Sequence, residues 1–161
     1  RKNSFATLDD LKGRSVSVAL GTVNVNEIND ISRKRKLNIS TVPVDSLQAA
    51  FDMVTEGRVA AFAMDEVLLK TMIARTQEPS DYVLSEQQVT QVQPLGFMMR
   101  LNDTAFIAAV NEALSEIYQT ETVREIYKRW FEGPMPGLNI DLALPMNPWL
   151  IEAMRNPKAI K

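Results

Sequence analysis

Three short apolar runs in the first half of the chain, residues 15–20, 38–44 and 59–64, alternate with stretches that carry helix signals. The first run (Ser-Val-Ser-Val-Ala-Leu) and the third (Val-Ala-Ala-Phe-Ala-Met) are apolar almost throughout, as strands are when both faces of their sheet are covered. Strands joined by helices form βαβ units, and successive units make a mostly parallel sheet flanked by helices. The fold class that follows is α/β.

The helix signals are local. Residues 8–13 read as a short helical turn stopped by Gly13. Asn24 is placed to cap a helix running to about Leu37, with Glu27 three residues on, as in a capping box. Asp45 is placed to cap the next, with Gln48 at its third position. Leu47, Ala50, Phe51 and Val54 form that helix's inner stripe, and Gly57 follows its end. Asp65 closes the third strand and opens a helix to about Thr76; Pro79 marks a loop, and residues 82–84 read as a short strand.

Beyond Gln93 the pattern changes. Residues 95–100 read as one more strand. Phe106, Ile107, Val110, Leu114 and Ile117 then fall at helical spacing behind Asp103, and a second helix after Thr120 carries Val123, Ile126, Tyr127 and Trp130. Gly133-Pro134-Met135-Pro136-Gly137 is a firm break, and Asn147-Pro148 places a cap before a proline at the first position of a last helix. The chain thus divides into an α/β region at 1–93, a hinge or crossover at 94–101 and a mostly helical segment at 102–161.

Composition narrows the function. The 161 residues hold 18 Lys+Arg against 20 Asp+Glu, a formal net charge of −2 that lacks the basic surplus of a nucleic-acid module. There is no Cys and no His, which removes thiolate nucleophiles, Cys/His metal sites and every Ser-His-Asp arrangement. No cofactor is implied, no apolar run is long enough to span a bilayer, and no internal repeat is present. The opening Arg1-Lys2-Asn3-Ser4, without a Met or an apolar signal region, reads as the start of a mature or trimmed chain.

Two positions remain that can carry chemistry. Gly21-Thr22-Val23-Asn24 joins a strand end to a helix start, where free N–H groups and the helix dipole receive an anion; it also reads as an ordinary βα turn with a glycine and an asparagine cap. Asp65, at the carboxyl end of the third strand, opens on the same edge of a parallel sheet. It can take up an ammonium group, or it can cap its helix. The run Arg33-Lys34-Arg35-Lys36 reads as a solvated helix end, with an interaction patch as the lesser reading. Tyr127, Trp130 and Phe131, at helical spacing among Val123 and Ile126, read as packing residues rather than a stacking platform.

Several stretches in this order resemble the periplasmic solute-binding proteins of polar amino-acid ABC transporters (solute-binding family 3), with the nearest likeness to the glutamate/aspartate-binding group. They are Leu8-Asp9-Asp10-Leu11-Lys12-Gly13-Arg14-Ser15-Val16, the Gly21-Thr22 turn, Glu56-Gly57-Arg58-Val59-Ala60-Ala61-Phe62-Ala63-Met64-Asp65, Tyr127-Lys128-Arg129-Trp130-Phe131 and Pro134-Met135-Pro136-Gly137-Leu138-Asn139. The resemblance implies a periplasmic-binding-protein-like lobe two, a return crossing and carboxyl-terminal helices that pack on lobe one, with the first part of lobe one absent. It implies that Gly21, Thr22 and Val23 help hold an amino acid's α-carboxylate and that Asp65 binds its α-ammonium. Val23 stands where the family usually has a second Thr, which leaves a backbone N–H but no hydroxyl. Leu47, Gln48 and Ala49 stand where glutamate/aspartate binders place polar contacts. The partners implied are a small-molecule amino acid and a membrane permease, in a periplasmic or extracytoplasmic location, with no nucleic acid. Helices built to pack on an absent lobe imply self-association of such a fragment. Two other readings share the fold: a cyclohexadienyl or arogenate dehydratase, and the sensor domain of a membrane receptor.

Overall fold

The computed structural model describes residues 5–89, 96–138 and 140–156. The chain divides into two compact units, Arg1–Gln91 and Val92–Lys161.

The first unit is built on a three-stranded parallel sheet in the order β2-β1-β3, with β1 at Ser15–Ala19, β2 at Ser40–Val44 and β3 at Ala61–Phe62. Ser15 lies opposite Ser40 and Ala19 opposite Val44, while Val16 and Ser17 lie opposite Ala61 and Phe62. Helices α1 (Asn24–Arg35) and α2 (Leu47–Thr55) make the crossovers, and α3 (Glu66–Ala74) follows β3. The central strand is covered on both faces. Val16 and Val18 join Ile28 of α1 and Leu8, Leu11, Leu37 and Ile39 in the buried core. On the other face the Ser17 hydroxyl, fully buried, donates to the Ala50 carbonyl of α2 at 2.8 Å. A small side chain at Ser17 and another at Ala50 let α2 lie close over the sheet, and the hydrogen bond satisfies the one polar group buried there. Each buried Val, Leu or Ile contributes about 1.5–3 kcal/mol relative to exposure.

The second unit is helical. Its helices are α4 (Thr104–Tyr118), α5 (Thr122–Tyr127), which runs on into a π turn at Lys128–Glu132, and α6 (Pro148–Arg155). Asp103 caps α4 by accepting from the Phe106 N–H at 3.2 Å, and Asn147 caps α6 by accepting from the Leu150 N–H at 2.7 Å, with Pro148 at its first turn. Between α5 and α6 the chain doubles back through a Pro134–Asp141 bridge. Among the described residues no helix is long and apolar enough to cross a membrane.

Several expectations are corrected. Residues 59–64 form a ladder over Ala61–Phe62 alone, because β3 bonds to β1 on one side only and three of the six residues in the run are alanines, which favour strands weakly. Residues 82–84 form no strand: the Tyr82 ring stacks on Phe51 at 5.4 Å, and the segment beyond is tied by side chains, Ser85 donating to the Ala6 carbonyl and Gln87 accepting from the Leu8 N–H. Residues 96–100 are irregular and pair with nothing among the described residues, whereas Leu95 and the boundary at Gln93 lie outside them. Helix α2 is capped by Ser46, which accepts from the Ala49 N–H at 3.1 Å, rather than by Asp45. Trp130 is 42% exposed and Ile126 50% exposed, so within this chain they are not core residues.

Candidate functional site

The chain leaves β1 toward β2 and then crosses back to β3, so the direction of connection reverses between β1 and β3. In a parallel α/β sheet, that reversal opens a crevice at the carboxyl ends of the two strands. Two loops border it here: residues 20–23 after β1 and residues 63–65 after β3. They touch, because the Asn24 amide at the start of α1 lies 3.5 Å from the sulfur of Met64, the residue before Asp65.

The predicted residues sit around this point. Gly21 is exposed with φ +76°, and open space surrounds the place a Cβ would occupy, so glycine is required there by the backbone rather than by crowding. The Thr22 hydroxyl donates to the Ala19 carbonyl at 2.7 Å, which pins the turn to the end of β1. Val23 is the N-cap residue of α1, 60% exposed and unable to cap with its side chain. The capping box does not form: Asn24 is the first helical residue, and no side chain caps this helix start. Asp65 is the N-cap residue of α3, yet its exposed carboxylate makes no cap hydrogen bond; its carbonyl accepts from the N–H groups of Leu68 and Leu69.

The three helix starts on this edge therefore differ. The one after the outer strand β2 is closed by Ser46. The two that flank the crevice are left without a side-chain cap, so no side chain covers the first N–H groups of α1, and the carboxylate of Asp65 is exposed.

Glu27 is the residue that sequence reasoning did not assign to the site. It lies one turn into α1, half-buried, and its carboxyl is held above the usual glutamate range, first by burial and then by the charge of Asp65. Its position three residues past Asn24 read as a capping signal, and its proximity to Asp65 arises where the loop after β3 meets the start of α1. The edge thus offers donors for an anion next to two carboxylates for a cation. A zwitterion presents both charges. Near Leu47 the polar group available is Gln48, whose amide donates to Asp52 at 2.8 Å within its own helix. An open cavity of about 890 Å³ lies at the opposite end of the sheet, lined by Phe5, Asp10, Arg14 and Arg58 among others, and the ladder register separates it from the β1–β3 crevice. Among the described residues no group of three or more acidic side chains could hold a metal ion.

Residues 12–133 match the bacterial extracellular solute-binding proteins, family 3. The chain belongs to that family. It is similar to the L-glutamate/L-aspartate-binding protein of Pseudomonas aeruginosa, at 30% identity over 149 residues, covering 92% of this chain and 49% of that protein. It is similar also to the glutamate/aspartate import solute-binding protein of Escherichia coli, at 22% identity, again over 92% of this chain and 49% of the relative. The chain therefore spans about half the length of these relatives. Among solved structures, an ancestral arginine-binding protein bound to arginine matches with a TM-score of 0.65 at 24% identity, covering 81% of this chain and 57% of that one. That likeness bears on the fold, and agrees with the parallel sheet and flanking helices of a family-3 lobe.

Proposed function

We propose that this family-3 chain is part of an extracytoplasmic receptor that captures a free amino acid and delivers it to the membrane permease of an ABC transporter. One observation carries the proposal: at the β1–β3 crevice two helix starts are left uncapped while the third, away from it, is closed. In this reading the α1 start with Gly21, Thr22 and Val23 receives the α-carboxylate. Asp65 binds the α-ammonium, with Glu27 adding negative potential beside it. The names of the relatives favour glutamate or aspartate as the ligand, and an arginine-binding relative in Escherichia coli at 26% identity keeps other polar amino acids within reach.

The test is Asp65→Asn in the full-length protein, read by calorimetry against a panel of amino acids. Removing one partner of a desolvated charge contact should cost about 2–5 kcal/mol of binding, with little change in stability because the Asp65 carboxylate is exposed and caps nothing. An unchanged dissociation constant would reduce Asp65 to a surface residue.

The dehydratase reading draws on one specific observation, the approach of Glu27 to Asp65, which supplies a second carboxylate with a raised pKa. Mixing the protein with prephenate or arogenate separates the two functions: aromatisation abolished by Glu27→Gln would replace the binding reading with an enzymatic one.

A further inference from the structure

The end of the sheet away from the crevice gathers positive charge from three separate segments. The Gly13 N–H donates to the Leu37 carbonyl at 2.8 Å, the Ser40 N–H to the Arg14 carbonyl at 2.9 Å, and the Ala60 N–H to the Ser15 carbonyl at 2.9 Å. These bonds bring the turn before β1, the end of α1 and the turn before β3 to one edge. Lys12, Arg14, Arg33, Lys34, Arg35, Lys36 and Arg58 stand on it, all exposed. Seven cations there face five acids, Asp9, Asp10, Asp30, Glu56 and Glu86, in a chain whose overall charge is −2. Glu86 belongs to the group because its neighbours Ser85 and Gln87 bond residues 6 and 8.

Three of the cations are paired: Arg33 with Asp30, Arg35 with Asp9 at 2.6 Å and Arg58 with Glu56 at 2.5 Å. Asp10 is engaged by the N–H and hydroxyl of Thr7, each at 2.8 Å. Lys12, Arg14, Lys34 and Lys36 have no acidic partner within 4.0 Å among the described residues. The dipole of α1 accounts for cations in its own last turn, but not for Lys12, Arg14 and Arg58, which arrive from elsewhere. Within the edge the open cavity of about 890 Å³ forms a recess between Arg14 and Arg58.

We infer that this basic edge is a docking surface for an anionic phospholipid membrane, which leaves the crevice at the other end of the sheet free to take up its ligand. The inference rests on the proposed role above, an extracytoplasmic receptor that delivers its ligand to a membrane permease. Unpaired, hydrated lysines spread over one edge suit a plane of lipid charge, whereas a single small anion would call for converging, buried donors.

Co-sedimentation of the 161-residue chain with vesicles tests it without any amino acid present, so its failure is distinct from a failure of ligand binding. Vesicles of phosphatidylglycerol mixed into phosphatidylcholine should retain the chain at low salt and release it as salt is raised; pure phosphatidylcholine should not retain it. A triple variant, Lys12→Gln, Lys34→Gln and Lys36→Asn (asparagine tolerates the left-handed backbone at φ 54° of Lys36), should weaken retention about fivefold per charge, or about a hundredfold in all. Lys70→Gln, Arg100→Gln and Lys128→Gln, with the same change in net charge, should weaken it far less. Equal retention by pure phosphatidylcholine, no retention by either vesicle, or equal losses in the two triples would each overturn the inference. So would tight, salt-sensitive capture on heparin that phosphatidylglycerol vesicles do not reproduce, which would assign the edge to another polyanion.

Discussion

The two units use apolar residues of the same kinds and end with different interiors. In Arg1–Gln91, Val16, Val18, Ile28 and Leu37 are at most 2% exposed. In Val92–Lys161 no residue of α4, α5 or α6 is buried, and Phe106, Ile117, Ile126 and Trp130 are 41–53% exposed. The difference lies in the layers. A βαβ unit closes its own core, because each crossover helix returns onto the sheet it has just left. Amphipathic helices can cover their stripes against one another, but α4, α5 and α6 do not do so here, since none of their residues is buried. The chain thus carries one unit with a continuous core and one whose helices leave their apolar stripes exposed, with Ile140 and Leu142, outside those helices, buried in it.

The largest expected effect breaks the comparison outright. A chain ending at Gln91 should melt cooperatively by circular dichroism, and residues 92–161 alone should show a broad, non-cooperative loss of helix; a sharp transition in the second piece would mean that it closes a core of its own. Single side chains sharpen the contrast. In the whole chain, Ile28→Ala should cost about 2–5 kcal/mol in denaturant unfolding, while Ile117→Ala should cost under about 1 kcal/mol. Capping gives a smaller difference within the first unit: Ser46→Ala should lose about 1 kcal/mol, and Asp45→Ala next to it almost nothing, if Ser46 alone closes α2.

The smallest effect concerns pH. The Glu27 carboxyl is raised above its ordinary value of 4.5 by burial and then by Asp65, so the folded state holds that proton more tightly than the unfolded chain. Its contribution is therefore least harmful below the unfolded value. The cost grows as pH rises through the folded value and persists at neutral pH. Glu27→Gln should raise the melting temperature at neutral pH, and the gain should vanish toward pH 4. A gain that does not depend on pH would show that packing rather than charge is at work.

Much of the first unit is readable from residue order alone. The β-branched run at β1, the helices after it and the glycine past α2 all rest on local preferences, and so do the caps at Asp103 and Asn147. The misreadings share a cause. Asn24 and Asp45 are good capping residues by type, but whether a side chain reaches its N–H depends on where the preceding loop enters the helix, and at α2 Ser46 is one residue better placed. Residues 82–84 and 96–100 have strand composition, yet a strand exists only where a neighbour completes its ladder.

Gly21, Thr22, Val23 and Asp65 were legible as a candidate site because strand ends and helix starts are local features, and family motifs mark them. Glu27 was not, since its meaning comes from a residue far along the chain. The sequence by itself determined the βαβ order, the apolar stripes and the chemical types available at each strand end, because these depend on near neighbours and on backbone sterics. The tertiary structure decided the strand order β2-β1-β3, which helix starts stay uncapped and which charges meet. Those follow from the packing of segments distant in sequence, and no local preference encodes that distance.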